Sequence, residues 1–139
     1  MSRELSITKI EVHTYQWETH DLAPDDYYNG FNTVYKPGAD TTRTGRILQI
    51  HTDQGVVGEF VGGSAGDYAQ MSMFAHYLIG RNPLERELIF NDVKRGLRKV
   101  DKMSMGPVDI ALWDIAGKVH NAPVWQLLGG WKKTLPAYA

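Results

Sequence analysis

Ser64 has the sequence context of a possible nucleophile. It lies in the run Gly62-Gly63-Ser64-Ala65-Gly66, which matches the G-x-S-x-G pattern of serine hydrolases and separates a predicted strand from a predicted helix. Such an enzyme also needs an acid and then a histidine downstream, and Asp109 or Asp114 with His120 keep that order. The sequence therefore admits a serine hydrolase as one hypothesis.

The same serine is equally suited to begin a helix. Asp67 follows three residues later, which is the spacing of a capping box. The strand before Ser64 belongs to a predicted antiparallel hairpin, whereas the hydrolase motif requires a parallel sheet of many strands. The chain is too short for that sheet, so we favour the helix cap and keep the hydrolase as a remote alternative.

Metal and thiol chemistry have little support in the sequence. The chain has no cysteine, which excludes disulfides, thiolate zinc sites and cysteine nucleophiles. The five histidines form no pair at metal-ligand spacing on one predicted face: His13, His20, His51, His76 and His120. The adjacent acids Asp25-Asp26 do not supply the converging oxygen ligands that Mg²⁺ prefers. We therefore expect neither a catalytic residue nor a metal site in this chain.

Length, charge and hydropathy limit the class of protein. With 139 residues, of which 42% are hydrophobic, the chain can form one domain with a substantial core. A formal net charge of −1 argues against general nucleic-acid binding. No apolar run approaches the roughly 20 residues that span a bilayer, and the N-terminus has no signal-peptide core. We expect a cytoplasmic protein without nucleic-acid or membrane partners.

Three segments have the alternation and composition of strands. Residues 5–15 alternate and are rich in β-branched side chains. Residues 46–52 lead into the turn Thr52-Asp53-Gln54-Gly55, after which residues 56–61 return as the second arm of a hairpin. The pattern predicts a three-stranded antiparallel meander.

Residues 17–44 lose this periodicity and contain two prolines, two glycines and several scattered aromatic residues. A structureless connection of that length in a small domain is typical of a functional loop. We therefore predict a long, mobile loop here.

Helical spacing begins after the meander. The spacing predicts a first helix over residues 64–80 and a second that begins at Asn82-Pro83. A third helix, over residues 104–120, is apolar almost all round, and a short fourth covers residues 123–128. Residues 135–139 read as one more strand. The predicted fold class is α+β: the meander followed by a helical bundle.

Two motifs near the C-terminus resemble a known family. The runs Pro107-Val-Asp-Ile-Ala-Leu-Trp-Asp-Ile-Ala-Gly-Lys118 and Pro123-Val-Trp-Gln-Leu-Leu-Gly-Gly130 are similar to the end of the N-terminal capping domain of mandelate racemase and muconate-lactonizing enzymes, in the enolase superfamily. The hairpin with Gly58-Glu59 and the turn Ile79-Gly80-Arg81-Asn82-Pro83 agree in order. Asn121 departs from the family's usual glycine, and residues 18–44 carry no motif of the family.

The resemblance implies a capping domain over residues 1–130 and the first strand of a (β/α)8 barrel over residues 131–139. In the family, Mg²⁺ ligands and the proton-abstracting bases lie on later barrel strands, and a barrel needs about 250 residues. Lys132-Lys133 precedes the predicted strand and cannot be the catalytic lysine pair. The resemblance therefore carries no metal ligand or base onto this chain; Mg²⁺ is implied only for a full-length enzyme.

What the resemblance does carry over is a lid role for residues 17–44 and 62–68. In the family these loops close over the barrel mouth, exclude water and contact the distal part of a carboxylate substrate. The candidate substrate-binding residues are Tyr27, Tyr28, Asn29, Phe31, Lys36 and Ser64. An alternative for the aromatic members is that they only pin a long loop to the domain.

The implied parent reaction is Mg²⁺-assisted proton abstraction next to a carboxylate, with dehydration of a sugar acid favoured over racemisation. The implied partners are the barrel of the same protein, the sugar-acid substrate and further copies of the chain. An alternative is a non-catalytic binding or assembly module. We expect the 139-residue chain alone to be inactive and to self-associate through the orphan strand at residues 135–139.

Overall fold

The sheet is built from two long strands and one short one. The computed structural model describes residues 4–28, 30, 32–132 and 134–137. Strand β1 spans Ile7–Pro24, β2 spans Thr33–Thr52 and β3 spans Val57–Val61. They pair antiparallel in the order β1-β2-β3. The predicted meander is confirmed.

The predicted loop over residues 17–44 is wrong, because most of it is strand. From the Thr14–Arg46 pair to the Pro24–Thr33 pair, β1 and β2 form a two-stranded ribbon without a third strand. Both faces of such a ribbon meet water, so its side chains need not alternate, and strand periodicity arises only where one face is buried. Most side chains of the ribbon are indeed exposed.

A bulge divides the ribbon. The pairing jumps from His20–Asp40 to Leu22–Tyr35, so residues 36–39 loop out opposite Asp21. Asp21 and Gly38 both adopt positive φ, 56° and 77°, and the Gly38 amide donates to the Asp21 carboxylate at 2.7 Å. The prolines and glycines that suggested a loop are thus accommodated in a bulge and a turn.

The helices cover one face of the sheet at its base. They are α1 (Ala65–Met71), α2 (Ala75–Leu78), α3 (Arg86–Gly96), α4 (Met105–His120) and α5 (Val124–Leu127). Leu48 and Ile50 of β2 are fully buried in a core shared with Leu78 of α2 and Ile115 of α4. The α+β architecture of meander and helices therefore stands.

Two helix predictions need correction. The single helix over residues 64–80 is broken into α1 and α2, and Met71, Phe74 and Leu78 are all buried in the core. The second helix starts at Arg86 rather than at Asn82. The Asn82 side chain accepts from the Leu84 amide at 3.0 Å, which makes a local turn that competes with a helical start.

Helix α4 packs so closely against β3 that there is no room for a side chain at Gly58. A Cβ on Gly58 of β3 would lie 2.2 Å from the Ala111 carbonyl oxygen and 2.6 Å from Cγ1 of Ile115. Only glycine permits this approach. At its end, α4 is closed by Asn121 at φ 47°, a left-handed position that asparagine tolerates better than most residues.

The predicted terminal strand does not form in the described part of the C-terminus. Residues 134–137 are outside any strand, and Tyr138 and Ala139 lie beyond the described residues. A parallel barrel strand needs neighbours for its backbone hydrogen bonds.

Among the described helices, none is long and apolar enough to cross a membrane.

Candidate functional site

The tip of the ribbon is a tight, locally bonded turn. A single 3-10 turn at Asp26–Tyr28 connects the strands. The Asp25 carboxylate accepts from the Tyr27 amide at 2.9 Å, and the Asp25 backbone bonds to Gly30 and Asn32. An aspartate that accepts from the amide two residues later is the usual way to start such a turn. The backbone is thereby shaped without help from the rest of the domain.

Three described side chains at and beside the tip are largely exposed: Asp26, Tyr27 and Lys36. Tyr27 is 89% exposed, and Lys36 lies 3.5 Å from the Asp26 carboxylate in an ion pair whose members are both largely exposed. An ion pair this exposed contributes little stability. The tip therefore presents a largely exposed aromatic ring and a largely exposed lysine.

Hydrogen bonds across the bulge tie the tip to the ribbon. Arg43 donates to the Thr33 hydroxyl at 2.7 Å, and the Thr41 hydroxyl donates to the Leu22 carbonyl at 2.6 Å. Below the bulge, His20 and Asp40 are 2.8 Å apart, and the hydrogen bond and charge of Asp40 raise the pKa of His20. In the ribbon, polar contacts of this kind take the part that buried apolar side chains have at the base of the sheet.

Ser64 caps helix α1 through a complete capping box. Its amide and hydroxyl donate to the Asp67 carboxylate at 2.6 and 2.7 Å, and its oxygen accepts from the Asp67 amide at 3.3 Å. The hydrogen bonds from Ser64 lower the pKa of Asp67. The cap prediction is confirmed.

The acids proposed for a catalytic triad have other partners. Asp114 accepts from the Glu59 amide at 2.9 Å and pairs with Lys118 at 2.7 Å. Asp109 lies between α3 and α4, where burial raises its pKa although Arg86 is close. The Arg86 guanidinium stacks over Trp113 at 3.9 Å. Asp114 thus connects α4 to β3, and Asp109 lies beside Arg86 where α3 and α4 meet.

The loop after β3 is held by the half-buried Tyr68. The Tyr68 hydroxyl donates to the Gly62 carbonyl at 2.7 Å, and burial raises the pKa of Tyr68. A Cβ on Gly63, which has φ 78°, would lie 3.0 Å from the Tyr68 ring. Contact with Tyr68 and a positive φ therefore account for Gly63, and a Cβ on Gly62, at φ 132°, would lie 3.2 Å from the Phe60 ring.

The two candidate lid segments leave the sheet in the same direction. Strand β3 runs antiparallel to β2 and ends at Val61 opposite Ile47, so its chain heads toward the ribbon tip. The segment with Ser64 begins there, while Tyr27 and Lys36 lie at the far end of the ribbon. Asn29, Phe31 and the side chain of Tyr28 lie outside the described residues.

Sequence reasoning missed the residues that shape the tip. Asp25, Asp26 and Arg43 contact the turn, and His20 pairs with Asp40 below it. The signal that could have revealed them is the turn chemistry of Asp25 and Gly30 between two segments rich in threonine and tyrosine.

The described residues do not fit a metal ion. Within the described ranges, no three histidine, aspartate or glutamate side chains converge on a possible metal position. The Asp25 carboxylate accepts a hydrogen bond from the Tyr27 amide, and the Asp26 carboxylate pairs with Lys36. We therefore assign no Mg²⁺ ligand among the residues that the structure describes.

Known proteins share both the sequence and the fold. Residues 37–129 match the mandelate racemase / muconate lactonizing enzyme N-terminal domain. D-galactarolactone cycloisomerase of Agrobacterium fabrum is 34% identical over 101 residues, which are 67% of this chain and 27% of that protein. The chain thus spans about a quarter of the length of this relative.

Solved structures agree in fold. D-glucarate dehydratase of Agrobacterium tumefaciens, solved with magnesium, matches with a TM-score of 0.69 at 24% identity, covering 91% of this chain and 33% of the enzyme. A member of the enolase superfamily from Polaromonas sp. JS666 matches with a TM-score of 0.71 at 24% identity, covering 96% and 36%. Together with the sequence match, they show that the chain belongs to the mandelate racemase / muconate lactonizing enzyme family and has the fold of its N-terminal domain.

Proposed function

We propose that this chain is the substrate-capping and specificity domain of an enzyme that abstracts a proton next to a carboxylate with the help of Mg²⁺. The substrate class we favour is a sugar acid and the favoured outcome is its dehydration, with racemisation or cycloisomerisation as alternatives within the same chemistry. The catalytic partner is a (β/α)8 barrel in the same protein. We assign residues 1–130 to the cap and residues 131–139 to the start of that barrel.

The observation that carries the proposal is the overhanging ribbon. It projects beyond the helices and ends in Tyr27 and Lys36, both exposed. An isolated two-stranded ribbon is marginally stable in water, so one this long is expected to rest on another surface. Because the resemblance is to a capping domain, the surface we favour is the mouth of the barrel.

The described residues provide positioning and water exclusion in this proposal. Lys36 supplies a positive charge and Tyr27 a ring and hydroxyl, both suited to a hydroxylated acid. Closure of the ribbon over the substrate removes water and strengthens every electrostatic contact beneath it. Ser64 acts as the start of α1 in the second lid segment, with its hydroxyl held by Asp67.

The test uses the full-length protein that contains this chain. Sugar acids are screened with Mg²⁺, and Tyr27→Ala and Lys36→Met are compared with the parent protein on any acid that turns over. We expect kcat/KM to fall at least tenfold in both variants with an unchanged melting temperature, since neither side chain is buried.

Lys94→Met is the matched control, because Lys94 lies on α3 over the Phe90 ring and away from the ribbon. It should leave the kinetics unchanged. If Tyr27→Ala and Lys36→Met behaved like this control, the lid role would be wrong. A lower melting temperature of Tyr27→Ala with unchanged kinetics would instead indicate that Tyr27 only pins the loop to the domain.

The chain by itself should be catalytically inactive and should lack a tight Mg²⁺ site. Calorimetric titration of the 139-residue chain should show no binding of Mg²⁺ at micromolar concentration. Turnover of a sugar acid by this chain alone would contradict the proposal and would favour a complete catalytic unit.

A further inference from the structure

The bulge in the ribbon carries one of the candidate substrate-binding residues, Lys36. Residues 36–39 of β2, which we call the excursion, stand opposite Asp21 alone, whereas the ribbon on both sides of them pairs one to one. Bulges bend a strand and re-aim its side chains, and they are common beside active sites. The other three residues of the excursion are proline, glycine and alanine. Lys36 is therefore the side chain whose position the excursion can serve.

The sequence itself restricts much of the backbone of the excursion. Proline fixes its own φ near about −65° and holds the preceding residue, here Lys36, in an extended conformation. The order Pro37-Gly38 and the φ of 77° at Gly38 are those of the central residues of a type II turn. Glycine also populates many other conformations, so Gly38 is the position at which the excursion is most easily changed.

The carboxylate of Asp21 holds this adaptable position. The Gly38 amide donates to Oδ1 of Asp21 at 2.7 Å, although the two residues are 17 apart in the chain. A hydrogen bond to a carboxylate is stronger than one between neutral groups. Asp21 itself adopts φ 56°, a region in which aspartate and asparagine are enriched among non-glycine residues. One residue at positive φ from each strand is thus tied to the other.

The side chain of Lys36 extends from the excursion toward the tip. Its ammonium lies 3.5 Å from the carboxylate of Asp26, in the 3-10 turn that connects the two strands. Both side chains are largely exposed, so this ion pair does little by itself to hold the lysine in place. The position of the ammonium therefore depends on the backbone that carries it, and Asp21 fixes that backbone at Gly38.

We propose that Asp21 is a positioning residue, which holds Gly38 so that the Lys36 ammonium is presented to the acid substrate. This inference rests on the lid role proposed above for Lys36 and adds to it a residue that does not touch the substrate. A supported side chain loses less freedom when the substrate binds, so preorganisation favours binding and turnover. Without the Asp21 carboxylate the excursion has more conformations, and fewer molecules present Lys36 in the productive one.

Two substitutions separate the hydrogen bond from the backbone conformation. Asp21→Gly removes the carboxylate and permits positive φ, whereas Asp21→Asn keeps an oxygen that can accept from Gly38. In the 139-residue chain, NMR should show the Gly38 amide exchanging with solvent about tenfold faster in Asp21→Gly and at the parent rate in Asp21→Asn. Asp40→Ala is the matched control, because it removes a ribbon carboxylate that pairs with His20, and it should not change this rate. Equal rates in the parent and Asp21→Gly would overturn the proposal.

Kinetics of the full-length protein test whether Asp21 acts through Lys36. On the sugar acid that turns over in the screen described above, Asp21→Gly should lower kcat/KM about fivefold, while Asp21→Asn and Asp40→Ala should stay near the parent value. In the Lys36→Met background, Asp21→Gly should cause no further loss, because the side chain that it positions is gone. An equal loss in both backgrounds would overturn this proposal and leave the lid role intact. If Lys36→Met itself changed nothing, the lid role would fail and this inference with it.

Discussion

The base of the sheet and its overhanging ribbon are made of the same two strands, yet different forces hold them. At the base, Leu48 and Ile50 are fully buried under helices, and Gly58 allows α4 to touch the sheet backbone. In the ribbon, the contacts are hydrogen bonds and ion pairs near the surface, such as Arg43 with Thr33. Burial of apolar side chains therefore stabilises the base, whereas strand pairing and surface polar contacts shape the ribbon.

This difference predicts how each region responds to change. Dense packing against backbone cannot relax, so substitutions at the base should be costly. The ribbon has solvent on both faces, so its side chains can move aside. Matched substitutions in the two regions test this comparison.

The largest effect is expected from an added methyl group on glycine. Gly58→Ala places Cβ against the Ala111 carbonyl and should lower the free energy of unfolding by about 3 kcal/mol. In Gly45→Ala the new atom would meet the Tyr15 ring, which is 40% exposed and can swing away, so the loss should stay below about 1 kcal/mol. Urea denaturation of both variants measures the difference. Equal losses would mean that the ribbon is packed as tightly as the base.

The next largest effect concerns two aspartates. Asp114→Ala removes the acceptor of the Glu59 amide and the partner of Lys118, and should cost about 1–2 kcal/mol. Asp40→Ala removes an exposed partner of His20 and should leave the unfolding midpoint unchanged. If Asp40→Ala were as destabilising as Asp114→Ala, exposed pairs in the ribbon would stabilise the protein as much as the contacts at the base.

A smaller effect, with a defined pH dependence, is expected at the α1 cap. Ser64→Ala should cost about 1 kcal/mol at pH 6. Because Ser64 lowers the pKa of Asp67, this contribution is present above the ordinary value of 3.8 and is lost as the pH falls through the lowered pKa. Denaturation of both proteins at about pH 6 and about pH 2.5 should show the difference shrinking. A difference independent of pH would exclude the capping box as its source.

The smallest effect is local to the ribbon. The hydrogen bond that His20 donates to the Asp40 carboxylate raises the pKa of His20, so protonated His20 favours the pair and the interaction is lost as the pH rises through that pKa. In an NMR titration, Asp40→Asn should return the His20 pKa toward its ordinary value with no change in melting temperature. An unchanged pKa would show that the pair does not persist in solution.

The fold of the base was predictable because its sequence patterns have one-sided burial as their cause. Alternation near Leu48, the Ser64-Asp67 spacing and the apolar stripe of α4 each follow from local geometry, and the structure confirms them. The ribbon was missed because two-sided exposure removes alternation and because Pro37 and Gly38 suggest a loop. Of the candidate lid residues, Tyr27 and Lys36 are found exposed at the tip, but contact with substrate stays a prediction.

The amino-acid sequence by itself determined the family, the meander, most helix ends and the absence of thiol chemistry. These depend on motifs and on interactions between residues close in the chain. Only the tertiary structure decided that β1 and β2 extend into a ribbon and that Asp114 and Lys118 of α4 bond to the backbone of β3. Each of these pairs residues far apart in sequence, such as Glu59 with Asp114. Whether such a pair forms depends on the whole set of packed elements, because its energy is gained only after they meet.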